Sequence, residues 1–275
     1  MKRPTNMPLF KRLAPWAATF RLEAWVSKLP GFSIATLAYA TMHQEQIPAA
    51  VMLTAFLLTT THLASGYVVN DLADWDADKA AGDKRALHDL GRRKGWAILT
   101  ILTATHLAIC IAMLEAPYQW VVVWITFLAH VAYSYGPRLK GKGLIGVLSS
   151  SINQWVTPFL ILVTLHGQPE VHTAALVALW LFSVGVNGAI RHQINDAERD
   201  RISRTNTFVQ NVGRNRSVGH RQTASIVAIL VPVLAPFIAT NHQAGAAAAL
   251  TMVGFAVYHT NYYKRIASHR ATTLA

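Results

Sequence analysis

Residues 47–78 read IPAAVMLTAFLLTTTHLASGYVVNDLADWDAD. The part from 47 to 69 contains no charged residue, and a helix needs roughly 20 largely apolar residues to cross the hydrocarbon core of a bilayer. The part from 70 to 78 contains four aspartates. The stretch therefore predicts a membrane-spanning helix that ends in a cluster of carboxylates.

The composition of the whole chain also indicates a membrane environment. Hydrophobic residues make up 52% of the 275 residues, charged residues only 14%, and the mean hydropathy is +0.28. Soluble domains carry about 25% charged residues, and disordered chains are poor in apolar residues. The single cysteine, Cys110, excludes an intramolecular disulfide and a thiolate cluster, so a bound metal would have oxygen or imidazole ligands.

Eight apolar stretches reach or approach the length of a membrane span. They lie near residues 29–43, 47–69, 95–114, 118–136, 144–166, 171–192, 222–240 and 244–263. We therefore expect an all-helical integral membrane protein with eight spans. Residues 1–28 lack the pattern of a signal peptide, and we expect a cytoplasmic or interfacial arm that places Trp16, Phe20 and Trp25 at the lipid headgroups.

The basic residues are distributed on one side of this topology. All 25 Lys and Arg residues fall in the N-terminal arm, in residues 70–94, 138–142 and 191–221, or in the C-terminal tail. The alternate connections contain none. Basic residues near span ends prefer the cytoplasm, so the formal charge of +12 is interpreted as an orientation signal rather than a nucleic-acid surface. Both termini and the basic connections are expected on the cytoplasmic side.

The acidic residues form two clusters on the same side. Nine of the 13 lie in residues 70–94 and 191–221. At helical spacing, Asp71, Asp74 and Asp78 share one face, and so do Asp196 and Asp200, whereas Asp76 and Glu198 point elsewhere. Stacked like charges repel, and carboxylates without thiolate or paired-histidine spacing suit Mg²⁺ completed by phosphate oxygens. Two such clusters predict a site for a diphosphate bridged by metal ions. The alternative, solvated helix ends, is less favoured because aspartate is unfavourable at a helix C-terminus.

Basic residues beside the clusters are suited to bind the same anion, because Arg offers a planar fork to phosphate oxygens and Lys a mobile point charge. Alternatively, they only set the membrane orientation. The candidates follow the acidic faces or the turn that begins at Tyr133: Lys79, Lys84, Arg85, Arg138, Lys140, Lys142, Arg201 and Arg204.

Three motifs resemble a known family. Residues 70–78, NDLADWDAD, match the NDxxDxxxD motif of the UbiA superfamily of intramembrane prenyltransferases, and residues 196–200 are similar to its second motif, DxxxD. Residues 133–140, YSYGPRLK, resemble the family's segment between these two motifs, in which a Tyr-Ser pair precedes a proline and a basic residue. The resemblance covers roughly residues 30–265. It indicates a prenyltransferase-like membrane domain over 29–265, between the arm and a cytoplasmic tail, 266–275.

The resemblance implies a helical bundle around a central cavity that binds an isoprenyl diphosphate through Mg²⁺. It implies that Asn70, Asp71, Asp74 and Asp78 hold one metal ion and Asp196 and Asp200 the other, with Arg138 and Lys140 at the diphosphate and Tyr133 beside them. The allylic cation would then alkylate a lipophilic acceptor, for which an aromatic compound is the first expectation. The sequence departs from the family in having eight spans rather than nine and no aromatic residue directly before Asp196.

Polar and aromatic residues near the clusters add candidates for the chemistry. His192 shares a helix face with Asp196 and Asp200, and it is a candidate to accept the proton released on alkylation, or else a packing residue. His62 is considered for the same role, although packing is favoured for it, whereas His106, His130 and His259 have no polar neighbours at helical spacing and are assigned no role. The ring faces that could stabilise a cation, or that could instead form an interfacial belt, are those of Tyr67, Trp75, Tyr133, Tyr135 and Trp155.

Several functions remain compatible with the sequence. A terpene cyclase of the same superfamily would use the same metal motifs and no acceptor. A CDP-alcohol phosphatidyltransferase would require a glycine after the first aspartates, which residues 71–78 lack. A transporter with an acidic cytoplasmic gate is a more remote alternative, because transport folds place charges near mid-membrane, and here the charges gather at one surface.

Overall fold

The computed structural model describes residues 16–25, 28–44, 46–80, 82, 85–167, 170–202 and 205–273, with only the backbone of 199 and 262–273. The predicted tail, residues 266–275, and most of the arm, residues 1–15, therefore lie outside the described side chains. Of the described residues, 88% are helical. In the described part the only strand-like contact is an isolated bridge between Gly143 and Thr207.

Eight long helices make up the described bundle, and each corresponds to one predicted apolar stretch. We number them α1 (Lys28–His43), α2 (Ala49–Ala73), α3 (Arg92–Met113), α4 (Pro117–Ser134), α5 (Leu144–His166), α6 (Val171–Asn195), α7 (Arg214–Ile238) and α8 (His242–Thr273). Short helices connect them on the side of the acidic motifs, at Trp75–Ala80, Ala86–Leu90, Leu139–Gly141, Ala197–Ile202 and Phe208–Val212.

Among the described residues, five of the eight helices are long and apolar enough to cross a membrane: α2, α3, α5, α6 and α7. Helix α1 has 16 residues, which is short for a span. The number of spans therefore remains a prediction. Large apolar side chains point outward, including Ile111 (67% exposed) and Phe237 (78% exposed), as expected for helices that face lipid rather than water.

Two central helices, α2 and α6, organise the bundle. Helix α2 packs against α3, α4 and the second half of α5, while α6 packs against α7, α1 and the first half of α5. The main core lies between them and includes Tyr39, Phe159 and Trp180, each at most 2% exposed. Because both central helices run toward the same side, their C-terminal ends bring the two acidic motifs to one end of the molecule.

Close packing beside Trp155 depends on glycines in two helices. A Cβ on Gly31 would lie 2.7 Å from Trp155 Cζ3, and a Cβ on Gly185 would lie 3.0 Å from Trp155 Cδ1 and from Ser151 Cβ. Small residues of this kind let membrane helices approach closely. Trp155, which is 6% exposed, therefore serves the contact between α1, α5 and α6 rather than a site surface.

Helix α6 offers a matched pair of substitutions to test this contact. Gly185→Ala is expected to lower the free energy of unfolding by about 1–3 kcal/mol, because it overpacks the contact with Trp155. Gly188→Ala lies in the same helix, and its nearest neighbour would be His259 Cε1 at 3.8 Å, an ordinary contact. It is expected to keep or raise stability, since alanine favours the helix. The midpoint of thermal unfolding in detergent measures both, and equal shifts would contradict the packing argument.

Candidate active site

The two acidic motifs have the same local backbone. Helix α2 ends at Ala73, and Asp74 has φ −92° and ψ 3°. Helix α6 ends at Asn195, and Asp196 has φ −94° and ψ 6°. In each motif the amide four residues on donates back to the bent residue at 2.8 Å, so that a short helix continues the long one. The bend keeps the aspartates of each motif on one side, as the spacing predicts.

Both motifs face one cavity of about 550 Å³, which we call the main cavity. It is lined by ten of the predicted site residues: Asn70, Asp71, Asp74, Asp78, Arg85, Tyr133, Lys140, His192, Asp196 and Asp200. Asp76 and Glu198 point away from it, as expected, and their side chains are 84% and 69% exposed. The structure thus brings together the two carboxylate sets on which the diphosphate hypothesis depends.

Each cavity-facing carboxylate of the first motif contacts a basic side chain from another segment. Asp71 forms an ion pair with Arg21. Asp78 accepts a hydrogen bond from Arg85 Nε at 3.1 Å, and its side chain is 5% exposed. These ion pairs offset the repulsion between the neighbouring carboxylates. Buried charges need such partners because burial removes them from water.

Lys140 is the basic side chain that pairs with Asp74, the middle cavity-facing aspartate of the first motif. Its ammonium group contacts Asp74 and donates to Asn70 Oδ1 at 3.2 Å. Arg138 Nη2 also reaches Asp74 Oδ1, at 3.3 Å, but the Arg138 side chain is 53% exposed. Burial lowers the pKa of the Lys140 ammonium, and the adjacent Asp74 carboxylate counteracts that shift. Lys140 is therefore a partly buried cation held between two oxygen donors of the motif.

The second motif carries a histidine beside its first aspartate. His192 Nδ1 lies 2.9 Å from Asp196 Oδ2, one turn apart on the same face, as predicted. Both residues line the main cavity together with Asp200. An imidazole that donates its Nδ1–H to a carboxylate keeps the lone pair of its other nitrogen available.

The carboxylate and amide oxygens at the main cavity are suitable ligands for a hard cation, but they do not form a complete coordination shell by themselves. Among the described residues, no three His, Cys, Asp or Glu side chains are arranged to hold a metal ion by themselves. The oxygens of the first motif are instead bound to Arg21, Lys140 and Arg85. Mg²⁺ commonly uses one or two carboxylates and takes its remaining ligands from water and phosphate, so this arrangement fits a site that a phosphate ligand completes.

Three predicted diphosphate ligands are not among the residues that line the main cavity. Lys79 Nζ lies 5.1 Å from the centre of the Trp75 ring, and Arg201 bonds Glu198 at 2.5 and 3.0 Å on the surface. Arg138 reaches the cavity only through Asp74. Lys79 and Arg201 both lie on the short helices after the motifs, and the structure does not bring these two predicted residues to the main cavity. Asp83, Lys84 and Arg204 lie outside the described residues.

The N-terminal segment contributes residues that sequence reasoning missed. Arg21 and Glu23 line the main cavity. Trp25 was expected at the headgroups but is 7% exposed and packs against Leu63 and Ala64. Arg21 lies at a turn of this segment with a positive φ of 50°, which an arginine rarely adopts and no sequence signal indicates.

A second, smaller space of about 170 Å³ adjoins the main cavity, and we call it the side chamber. The two spaces share six lining residues, among them Asn70, Tyr133 and His192. Of the aromatic candidates for cation stabilisation, Tyr67 and Tyr133 line these spaces. Trp75, Tyr135 and Trp155 are not among the lining residues, since Trp75 packs on His88 and Tyr135 on Trp96.

Comparison with curated proteins identifies similar prenyltransferases. The chain is 26% identical over 217 residues to a digeranylgeranylglyceryl phosphate synthase of Thermococcus sibiricus, which covers 78% of this chain and 75% of that protein. It is 22% identical over 181 residues to the enzyme of the same name from Sulfurisphaera tokodaii, covering 64% of this chain and 63% of the relative.

Solved structures share the fold at lower identity. A UbiA homologue from Archaeoglobus fulgidus bound to GPP and Mg²⁺ superposes with a TM-score of 0.73 at 16% identity, covering 91% of this chain and 88% of that one. The same homologue bound to DMAPP and Mg²⁺ gives a TM-score of 0.72 at 15% identity. These likenesses confirm the all-helical membrane fold. The model of the UbiA prenyltransferase family matches residues 31–274, and the chain therefore belongs to that family.

Proposed function

We propose that this protein is a Mg²⁺-dependent intramembrane prenyltransferase that ionises an isoprenyl diphosphate and transfers the prenyl group to a lipophilic acceptor. The observation that carries the proposal is the convergence of five aspartates, Lys140 and Arg85 on one cavity at the end of the bundle. The Mg²⁺ and prenyl diphosphates bound to the Archaeoglobus homologue, and the names of the two archaeal relatives, support it.

The oxygens that would hold Mg²⁺ are those of Asn70, Asp71, Asp74 and Asp78 on one side, and of Asp196 and Asp200 on the other. When bound, the metal would offset the negative charge that develops on the diphosphate as the allylic C–O bond breaks. The basic partners of the first motif would turn from carboxylate to phosphate oxygens at the same time. Electrostatic stabilisation by such positive charges is a main means of stabilising a charged leaving group.

The transfer step releases a proton, and His192 is the group that we propose accepts it. The C–O bond electrons leave with the diphosphate, the acceptor supplies an electron pair to the allylic carbon, and the acceptor loses its proton. Asp196 holds His192 through Nδ1, at 2.9 Å, which leaves Nε2 as the basic nitrogen. His192 lines both the main cavity and the side chamber, so it can serve a substrate that spans them.

The side chamber favours a transferase over a cyclase. A cyclase must protect its carbocation from lone pairs until the rings have closed, which requires apolar or aromatic walls. Besides the rings of Tyr67 and Tyr133, the chamber presents the polar groups of Lys28, His130 and Gln154. Such polar groups next to the ionisation site are suited to recognise a second, polar substrate.

We also infer that the main cavity opens to the cytoplasm, because the connections that build it are those that carry the basic residues. Isoprenyl diphosphates are charged and do not cross bilayers. Sealed inside-out vesicles should therefore consume added substrate, whereas right-side-out vesicles should do so only after detergent is added. The reverse pattern would overturn this orientation.

The proposed activity is tested with purified protein, Mg²⁺ and geranylgeranyl diphosphate, with geranylgeranylglyceryl phosphate, 4-hydroxybenzoate or no acceptor. We expect a prenylated product only when an acceptor is present, and loss of the product when EDTA removes the metal. Mass spectrometry of the extracted lipids measures both. A cyclised hydrocarbon formed without acceptor would establish the cyclase alternative instead.

Charge variants distinguish the residues at the cavity from their outward-facing neighbours. Asp71→Asn is expected to lower kcat/KM about 10²-fold or more, by loss of a charge that acts on the leaving group. Lys140→Met should raise KM for the diphosphate about 10- to 100-fold, since a hydrogen bond to a charged group contributes about 1.5–3 kcal/mol. Asp76→Asn and Lys79→Met lie in the same segment but not at the cavity, and should stay near wild type. Similar losses in all four would refute the assignment.

His192→Ala separates ionisation from proton removal. Product formation is expected to fall about 10²- to 10⁴-fold, the usual contribution of a general base. Exchange of ¹⁸O between bridging and non-bridging positions of the diphosphate, which reports C–O ionisation, should continue. If the exchange falls as steeply as product formation, His192 belongs to the diphosphate site and is not the proton acceptor.

A further inference from the structure

The walls of the side chamber differ in charge from those of the main cavity. Of the described residues that line the side chamber none is a carboxylate, whereas six aspartates and glutamates line the main cavity. The polar groups found only in the chamber are Lys28, Tyr67, His130 and Gln154. Lys28 Nζ hydrogen-bonds the Tyr67 hydroxyl and lies 4.7 Å from the centre of that ring. The chamber thus presents hydrogen-bond donors without a competing anion.

A wide turn in helix α5 frees a carbonyl beside the chamber. Residues Ile152–Val156 form a π-helical turn, in which the Thr157 amide donates to Ile152 O instead of Asn153 O. The next residue, Pro158, has no N–H to offer. The Asn153 carbonyl therefore lacks its usual donor within the helix, as is common where a π turn serves a site.

His62 contacts the Asn153 carbonyl, and this contact determines which ring nitrogen of His62 carries the proton. His62 Nε2 lies 2.8 Å from Asn153 O, and a carbonyl only accepts, so the proton of neutral His62 must be on Nε2. His130 Nε2 lies 2.8 Å from the same His62 nitrogen. One proton on His62 Nε2, shared between Asn153 O and His130 Nε2, satisfies both contacts, and His130 Nε2 then carries the lone pair. The proton of His130 is then on Nδ1.

Gly66 provides the space for this ring. A Cβ at position 66 would lie 2.5 Å from His130 Cε1 and 2.6 Å from Nδ1, closer than any side chain allows. The Cε1 edge of the His130 ring, flanked by Nδ1 and by Nε2 (2.8 Å from the same Cβ), therefore lies over Gly66, and both residues line the side chamber. The His130 imidazole, with Nδ1 on this edge, thus forms part of the wall of the chamber.

We propose that the side chamber is the acceptor subsite and that His130 positions the acceptor by donating Nδ1–H to one of its oxygens, with His62 and Asn153 fixing the tautomer. This inference rests on the proposed prenyl transfer and names the substrate class: an acceptor whose entering end carries an anionic or hydroxyl oxygen. Lys28, in the same chamber, complements such an oxygen by charge. His130 is the residue that touches substrate, whereas His62 is a positioning residue.

The test compares steady-state kinetics of His130 variants with geranylgeranylglyceryl phosphate and with 4-hydroxybenzoate, which offer phosphate and carboxylate oxygens respectively. His130→Leu is expected to raise KM for the accepted substrate about tenfold or more, with KM for geranylgeranyl diphosphate unchanged. His130→Asn keeps an N–H near the Nδ1 position and should restore much of the affinity. The acceptor that shows the effect distinguishes the two sources of oxygen.

His106→Leu is the matched control. His106 is also buried, and its Nδ1 lies 2.7 Å from Thr61 Oγ1, but it is not among the described residues that line either space. It should leave both KM values unchanged. If His130→Leu and His106→Leu act alike, or if His130→Leu raises KM for the diphosphate equally, His130 is a packing residue and the proposal is wrong.

The tautomer is tested independently of turnover by ¹⁵N NMR of histidine-labelled protein. We expect His130 protonated at Nδ1 and His62 at Nε2, and His62→Leu should release the His130 preference and raise KM for the acceptor. His130 protonated at Nε2 would overturn the inference even if the enzyme transfers prenyl groups. Absence of transfer to either acceptor by the wild-type protein would overturn the proposed function itself, and the acceptor subsite with it.

Discussion

Carboxylates at the C-terminal end of a helix face the negative end of the helix dipole and one another, and both effects are unfavourable. This constraint applies at two places beside the main cavity, the C-terminal ends of α2 and α6. The first motif meets it with Arg21, Lys140 and Arg85, which come from three separate segments. Compensation of these carboxylates therefore links the N-terminal segment, the α4–α5 connection and the segment after Asp78 to the central helices.

The apolar stretches of the sequence anticipate all eight long helices, because each stretch is long enough to form a helix with a largely apolar surface. The spacing of aspartates also anticipates which carboxylates face the cavity, since Asp71, Asp74 and Asp78 follow the helical repeat through the bend at Asp74. Lys79 and Arg201 could not be placed from sequence. A basic residue next to a motif is equally able to face a substrate, an aromatic ring or a nearby glutamate.

Contacts between segments that are far apart in the chain were not predicted from the sequence. Arg21, which pairs with Asp71, adopts a left-handed backbone conformation, and the Asn153 carbonyl that contacts His62 is freed by a π turn in α5. Neither leaves a periodic trace, because both are made by single residues far apart in the chain. Polar groups inside a bundle must find partners among themselves, and which partners they find is decided by tertiary packing.

The ion pairs of the first motif also have a thermodynamic consequence for the proposed enzyme. A free magnesium ion would have to displace a guanidinium or ammonium group from each carboxylate, and a free diphosphate would have to draw the same groups away from their anions. Each ligand removes the obstacle to the other, so their binding is positively cooperative, and linkage makes that cooperativity reciprocal. In the proposed enzyme, the main cavity would therefore bind free magnesium or free diphosphate weakly. It would bind a magnesium ion already chelated by an isoprenyl diphosphate more tightly.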